Sequence, residues 1–208
     1  MIFTRETVPR IYAITAELPG ITHLQLAEEL LKCGVRWIQL RQKSGSDRDR
    51  HSEAGRLRAL IPAGRMLFIN DRADIALSVG AHGVHLGDRD MAPSDVDRLS
   101  QGRTLLVGRS THSVREAISF ATDPAVDYIA LGPIFISRTK NVSAPLGLAA
   151  LSAVRSSTRK IIVAIGGIDQ SNIRSVIEAG ADSVALIAAL YEGGDIRSNL
   201  DTIQKALD

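Results

Sequence analysis

The chain has a single cysteine, Cys33, which excludes an internal disulfide framework and fits a reducing compartment. No apolar run approaches the roughly 18 residues that mark a membrane-spanning helix. The N-terminal stretch "MIFTRETVPRIYAIT" also lacks the long apolar centre of a secretion signal. Charge of one sign is not in excess: 25 Lys and Arg stand against 23 Asp and Glu, a net charge of +2. No global field therefore draws the chain to nucleic acid or to an anionic membrane. Linkers, low-complexity tracts and charge blocks are missing too, so residues 1–208 are expected to form one domain. These absences lead to the expectation of a cytoplasmic chain acting on small molecules, with homo-oligomerisation left open.

What is present is an apolar share of 45% over 208 residues, enough for a well-buried core. It is distributed as short β-branched runs alternating with longer amphipathic stretches. The strand candidates cover 10–15, 37–43, 66–71, 83–87, 105–110, 127–133, 161–167 and 183–189. Most are apolar on both faces until their last residues, as parallel strands covered on both sides should be. Between them, "THLQLAEELLKCG" has Thr22 as N-cap and Gly34 just past its end, and Ser113 with Glu116 has capping-box spacing. Eight strand–helix pairs predict an α/β chain folded as a (β/α)₈ barrel, with a doubly wound open sheet as the alternative.

An internal repeat favours closure. The pattern Gly-x-x-x-[VI]-x-Leu recurs at Gly34/Ile38/Leu40, Gly80/Val84/Leu86 and Gly180/Val184/Leu186, with a degenerate copy at Ala125/Ile129/Leu131. It marks strands two, four, six and eight, so the repeating unit is two βα pairs. Alternating strand layers in a closed barrel would produce that periodicity.

Active sites of such barrels lie at the C-terminal ends of the strands. The residues expected there are Gln39, Arg41 and Lys43 from strand two, and Asn70 and Asp71 from strand three. They are followed by Asp88 and Asp90 after strand four, then Ser110, Thr111 and His112, then Ser137, Thr139 and Lys140. Gly166-Gly167 ends strand seven, and Ile187-Ala188 lies near the end of strand eight. Alternation puts Gln39, Arg41 and Lys43 on one face of their strand. A guanidinium at the barrel mouth, Arg41, calls for an anionic partner, either a protein carboxylate or a phosphate. Asp71 reads equally as a helix N-cap or as a cation ligand, and so does Asp90 beside the helix expected near Pro93. Two carboxylates with water and phosphate oxygens would suit Mg²⁺. Gly166-Gly167, with a helix expected to start near Gln170, fits the phosphate position common in these barrels. His112 is a candidate acid or base, or a loop-holding hydrogen bond. Three cations (Arg41, Lys43, Lys140), two carboxylates and a phosphate-binding turn together suggest a transfer that expels pyrophosphate.

The segments "IQLRQK", "INDRADIALSVGAHGVHLG" followed by Asp90, "GRSTHS", "DYIALGPIF" with the later Thr-Lys, and "IVAIGGI" resemble the thiamine-phosphate synthase family. The resemblance implies a (β/α)₈ barrel, a transferase joining a hydroxymethylpyrimidine diphosphate to a hydroxyethylthiazole phosphate in thiamine biosynthesis. It implies pyrimidine diphosphate binding by Gln39, Leu40, Arg41, Gln42, Lys43, Asn70, Ser110 and Lys140. Arg41, Lys43 and Lys140 would act on the leaving group, and Asp71 and Asp90 would hold Mg²⁺. Thiazole phosphate would be held by Ser137, Arg138, Thr139, Gly167, Ile187 and Ala188. This chain reads Ile136-Ser137-Arg138-Thr139-Lys140 where that family usually has Pro-Thr-x-Thr-Lys. It also has Ala188 where serine is usual, and Asp88 where glutamine is common. Two other readings remain at this stage: a tautomerase-like relative working through His112, and a non-catalytic barrel that binds thiamine precursors.

Overall fold

The computed structural model describes residues 4–136 and 144–207. Eight parallel strands follow one another: β1 (Ile11–Ile14), β2 (Trp37–Leu40), β3 (Met66–Asn70), β4 (Gly83–Leu86), β5 (Leu106–Thr111), β6 (Tyr128–Leu131), β7 (Ile161–Ile165) and β8 (Ser183–Leu186). They pair in sequence order into a closed barrel. Ile11, Tyr12 and Ala13 lie opposite Val184, Ala185 and Leu186, so the last strand bonds to the first and the open-sheet alternative is excluded. Helices α1 (His23–Lys32), α2 (Asp47–Leu60), α3 (Ala73–Val79), α4 (Pro93–Ser100), α5 (Val114–Ala121), α6 (Gly147–Ser157), α7 (Ile173–Glu178), α8 (Ala188–Tyr191) and α9 (Ile196–Leu207) complete the layer outside it. The expected (β/α)₈ barrel is the observed fold. Among the described residues, no helix is long and apolar enough to cross a membrane.

Most strands stop short of the apolar runs that announced them. β2 ends at Leu40, where 37–43 was expected, and β8 ends at Leu186, where 183–189 was expected. The surplus residues leave the ladder to form the rim. Local chemistry sets the helix ends. Thr22 and Gln25 make the reciprocal capping box of α1, and Gly34 beyond it takes a left-handed φ of 85°. At α5 only half of the expected box forms. Ser113 accepts the Glu116 amide at 3.2 Å, but the Glu116 carboxylate takes the His112 amide at 2.7 Å instead of closing on Ser113.

Side-chain alternation separates two cores. The repeat positions Ile38, Leu40, Val84, Leu86, Ile129, Leu131, Val184 and Leu186 all join the larger core, with Leu26, Leu30 and Leu57 of the helices. The repeat is therefore the helix-facing side of the even strands. The barrel interior is a second core centred on Tyr12, Trp37, Phe68 and Tyr128. Their ring centroids lie 5.2–6.1 Å apart, mostly tilted or edge to face. Aromatic pairs in such geometry add about 0.5–1.5 kcal/mol each beyond their buried area.

Rings of this size fit because two facing positions are glycine. Phe68 lies opposite Gly83, and Tyr128 lies opposite Gly108. A Cβ at Gly83 would sit 2.5 Å from the Phe68 ring, and one at Gly108 would sit 2.0 Å from Tyr128 Cζ. Gly108→Ala is therefore expected to destabilise the protein by about 1–3 kcal/mol through overpacking. Gly55→Ala is the control: it lies inside α2, with nothing within 4 Å of an added Cβ. It should stabilise by about 0.5–1 kcal/mol. Urea unfolding curves read both, and a Gly108→Ala midpoint equal to that of wild type would contradict this packing.

Candidate active site

Asp71 and Asp90 come together at the C-terminal rim from neighbouring strands, and neither caps a helix. The N-cap of α3 is Arg72 and that of α4 is Ala92, both without a side-chain cap bond. Asp71 instead continues the ladder, its amide donating to the His85 carbonyl at 2.8 Å. Its φ of 67° is left-handed, a conformation that a non-glycine residue holds only when its surroundings enforce it. Asp90 accepts the Gly87 amide at 2.6 Å. Desolvation, opposed by that amide and by Lys43, together with the Asp71 carboxylate within hydrogen-bonding reach, pushes the Asp90 carboxyl up from its ordinary value.

Lys43 Nζ lies 2.5 Å from Asp71 Oδ2. Glu17 holds that loop by accepting the amides of Lys43 at 3.1 Å and Ser44 at 2.7 Å. Gln42, Lys43, Asn70 and Asp71 line one cleft of about 120 Å³, together with Arg50 and Arg72. Arg50 and Arg72 were not anticipated. Both are already paired, since Asp47 accepts from each and Asp74 also takes Arg72. The buried Gln42 Oε1 has no hydrogen-bond partner among the described residues. Arg41 follows the inward-facing Gln39 by two positions, and no carboxylate among the described residues pairs with it. Leu40 packs its side chain into the helix-facing core, so only its backbone is available to a ligand.

A buried chain of polar side chains lies beneath this rim. Gln39, 1% exposed, donates from Nε2 to the Tyr12 hydroxyl at 2.9 Å. The Tyr12 and Tyr128 hydroxyls are 3.1 Å apart, and Tyr128 lies 3.0 Å from His85 Nδ1. His85 Nε2 reaches Ser110 Oγ at 2.9 Å. Desolvation holds the His85 imidazole far below its usual range, at about 4, against the opposing pull of Asp71. It is neutral near pH 7. Sequence reading missed His85, Tyr12 and Tyr128. The parity of "GVHLG" gave a signal, because Gly83 and His85 share a strand face.

Arg109 was also missed. It points out of the barrel, over the Phe120 ring at 4.6 Å, and grips the loop that carries Asp90. Its guanidinium donates to the Gly87 carbonyl and, at 3.0 Å, to Asp88. Gly87 is thus held on both sides, by Arg109 at its carbonyl and by Asp90 at its amide. Asp88, for which the sequence suggested no role, is the anionic partner of this clamp. His112 lies outside the cluster. Its ring Nδ1 bonds the Gly132 carbonyl at 3.0 Å, the loop-holding alternative.

The opposite side of the rim is described in part. Ser137, Arg138, Thr139 and Lys140 lie outside the described residues. Gly167 has φ 65°, and a Cβ there would lie 2.5 Å from the Ile136 carbonyl. Only glycine lets the loop after β6 pass this close to the end of β7. The helix expected near Gln170 begins at Ile173 and is only six residues long. Asp169, Ser171 and Asn172 turn the chain first, through mutual side-chain and backbone bonds. Ile187 and Ala188 begin the short helix α8, with Ala188 exposed.

No group of three or more His, Cys, Asp and Glu side chains that would hold a metal forms among the described residues. The Asp71–Asp90 pair is a smaller donor set. Two hard carboxylates at an open rim fit Mg²⁺, which keeps water and substrate phosphate in its remaining positions.

Residues 11–190 match the family model described as thiamine monophosphate synthase. The chain is 45% identical to a thiamine-phosphate synthase of Koribacter versatilis, over 88% of this chain and 89% of that one. It is 41% identical to one of Chloroflexus aurantiacus, over 90% and 87% respectively. Among solved structures, the thiamine phosphate pyrophosphorylase from Pyrococcus furiosus superposes with a TM-score of 0.87. The identity is 29%, over 98% of this chain and 96% of that one.

The Asp71 and Asp90 carboxylates repel, and Lys43, bonded to Asp71, offsets this only in part. A carboxyl raised by folding costs stability once ionised, and that cost disappears as pH falls below its folded value. Asp90→Asn keeps an acceptor for the Gly87 amide and removes the repulsion. It should raise the stability of metal-free protein near pH 7 by about 0.5 kcal/mol, with the gain fading in acid. Thermal melts in chelator across pH test this, and a loss of stability at neutral pH would contradict the paired geometry.

Proposed function

The chain belongs to the thiamine monophosphate synthase family, and we propose that its rim joins a hydroxymethylpyrimidine diphosphate to a hydroxyethylthiazole phosphate with release of pyrophosphate. It is a transferase of thiamine biosynthesis. One observation supports this use of the rim above the others. Lys43, Asp71 and Asp90 form a contiguous charged edge beside Arg41, whose guanidinium pairs with no described carboxylate. A diphosphate supplies the missing anion.

In this reading Arg41 and Lys43 bind the diphosphate, and Gln42 and Asn70 orient it from the cleft they share. Lys140 is proposed as the third cation, and Asp71 and Asp90 as the holders of Mg²⁺. When bound, the metal neutralises charge on the diphosphate and makes it a better leaving group. The bond between the pyrimidine's methylene carbon and the diphosphate oxygen breaks, and its electron pair leaves with pyrophosphate. The amino-substituted pyrimidine stabilises the resulting cation, and the thiazole nitrogen's lone pair captures it to form the new C–N bond. No protein nucleophile takes part. The thiazole phosphate is assigned to Ser137, Arg138, Thr139, Gly167, Ile187 and Ala188.

Pyrophosphate release is the test, measured with both substrates and Mg²⁺. Asp71→Ala is expected to lower kcat/KM by at least about 100-fold. Arg41→Met should raise the KM for the pyrimidine diphosphate by about tenfold or more, the scale of a lost charged hydrogen bond. A wild-type protein that binds the thiazole phosphate yet releases no pyrophosphate would sink this assignment.

A further inference from the structure

From the buried side-chain chain we propose that Tyr12, Tyr128 and His85 are positioning residues that fix the Ser110 hydroxyl as a hydrogen-bond donor toward the pyrimidine diphosphate. The proposal rests on the reading of the rim given above and says which way one of its contacts points.

The direction is set at the far end. An amide nitrogen only donates, so at Gln39 Nε2 the Tyr12 oxygen must accept. Tyr12 then has one hydrogen to give, and the Tyr128 oxygen lies 3.1 Å away. The assignment in which each hydroxyl accepts once and donates once continues in a single sense. Tyr128 donates to His85 Nδ1 at 3.0 Å, and the hydrogen on Nε2 goes to Ser110 Oγ at 2.9 Å. Ser110, partly exposed at the end of β5, keeps its own hydrogen for the barrel mouth. The reverse sense would have Tyr12 accept from both Gln39 and Tyr128 and would leave its own buried hydrogen without an acceptor among the described residues, at the cost of an unsatisfied polar group. Water is poorly placed to reverse the order, because Gln39, Tyr12 and Tyr128 are 1%, 1% and 0% exposed. Bonds in such a chain polarise one another, so the donor at its end is strengthened.

The consequence is a specificity rule. The substrate atom facing the Ser110 hydrogen is expected to be an acceptor, such as a diphosphate oxygen or a ring nitrogen, whereas an N–H would find only the second lone pair of an oxygen that already accepts from His85. The interior residues reach the substrate through Ser110, so their effects should shrink once Ser110 is removed. Binding of the pyrimidine diphosphate is measured by calorimetry for wild type, Tyr128→Phe, Ser110→Ala and the double variant. Tyr128→Phe is expected to weaken binding about tenfold and to leave the KM for the thiazole phosphate unchanged. In the Ser110→Ala background the same change should weaken binding less than twofold, a coupled cycle. If Tyr128→Phe does not fold, Tyr12→Phe and His85→Gln take its place in the cycle.

Additive losses, or equal effects on both substrates, would overturn the inference. Because binding is read directly, the two failures separate. A wild type that binds the pyrimidine diphosphate but releases no pyrophosphate refutes the synthase assignment and leaves the cycle readable. Additivity in an active enzyme refutes the positioning role alone. A wild type that does not bind the pyrimidine diphosphate refutes both.

Discussion

A barrel of eight strands encloses a space that must be filled, and in this chain four large rings fill it. Tyr12, Trp37, Phe68 and Tyr128 meet at centroid distances of 5.2–6.1 Å, which is possible only because Gly83 and Gly108 carry no side chain toward them. Much follows from that choice. Two of the rings carry hydroxyls, and a buried hydroxyl needs partners. Gln39 on one side and His85 on the other supply them, so the packing of the barrel extends upward as a polar chain into the floor of the site. Core and candidate site here share one set of side chains.

The architecture could be read from the sequence because it depends on short-range pattern. Apolar runs gave the eight strands, and the recurring glycine, branched residue and leucine marked the helix-facing side of the even ones. The rim was legible for the same reason, since strand ends carry the polar residues. The aspartates could not be told from helix caps in one dimension. The left-handed backbone of Asp71 and the bond from the Gly87 amide to Asp90 belong to the folded chain. His85, Tyr128 and Arg109 escaped notice because their partners lie 21 to 116 positions away in sequence. α7 starts later than the sequence predicts, because side chains around Asp169 and Asn172 build a turn ahead of it.

The charges of the rim form a gradient of commitment. Arg50 and Arg72 are engaged with Asp47 and Asp74 and shape the cleft wall. Lys43 is shared, bonded to Asp71 yet half exposed at 47% of its side chain. Arg41 pairs with no described carboxylate. A multiply charged ligand would find its strongest attraction at the position least compensated by the protein, which is how a site admits anions without collapsing onto its own carboxylates.

The grip of Arg109 on Gly87 ties the two layers of the fold together. The guanidinium approaches from the helix side, lying over Phe120 of α5, and the loop it holds presents Asp90 on the strand side. The rim carboxylate is therefore anchored partly by a contact on the helix side of the strands, made by an arginine only 8% exposed. A slight drift of α5 against the barrel would reach Asp90 through a single backbone peptide. In such a chain, the geometry of the mouth is inherited from the fit of a peripheral helix, and a substitution on that helix can reset a rim carboxylate from a distance.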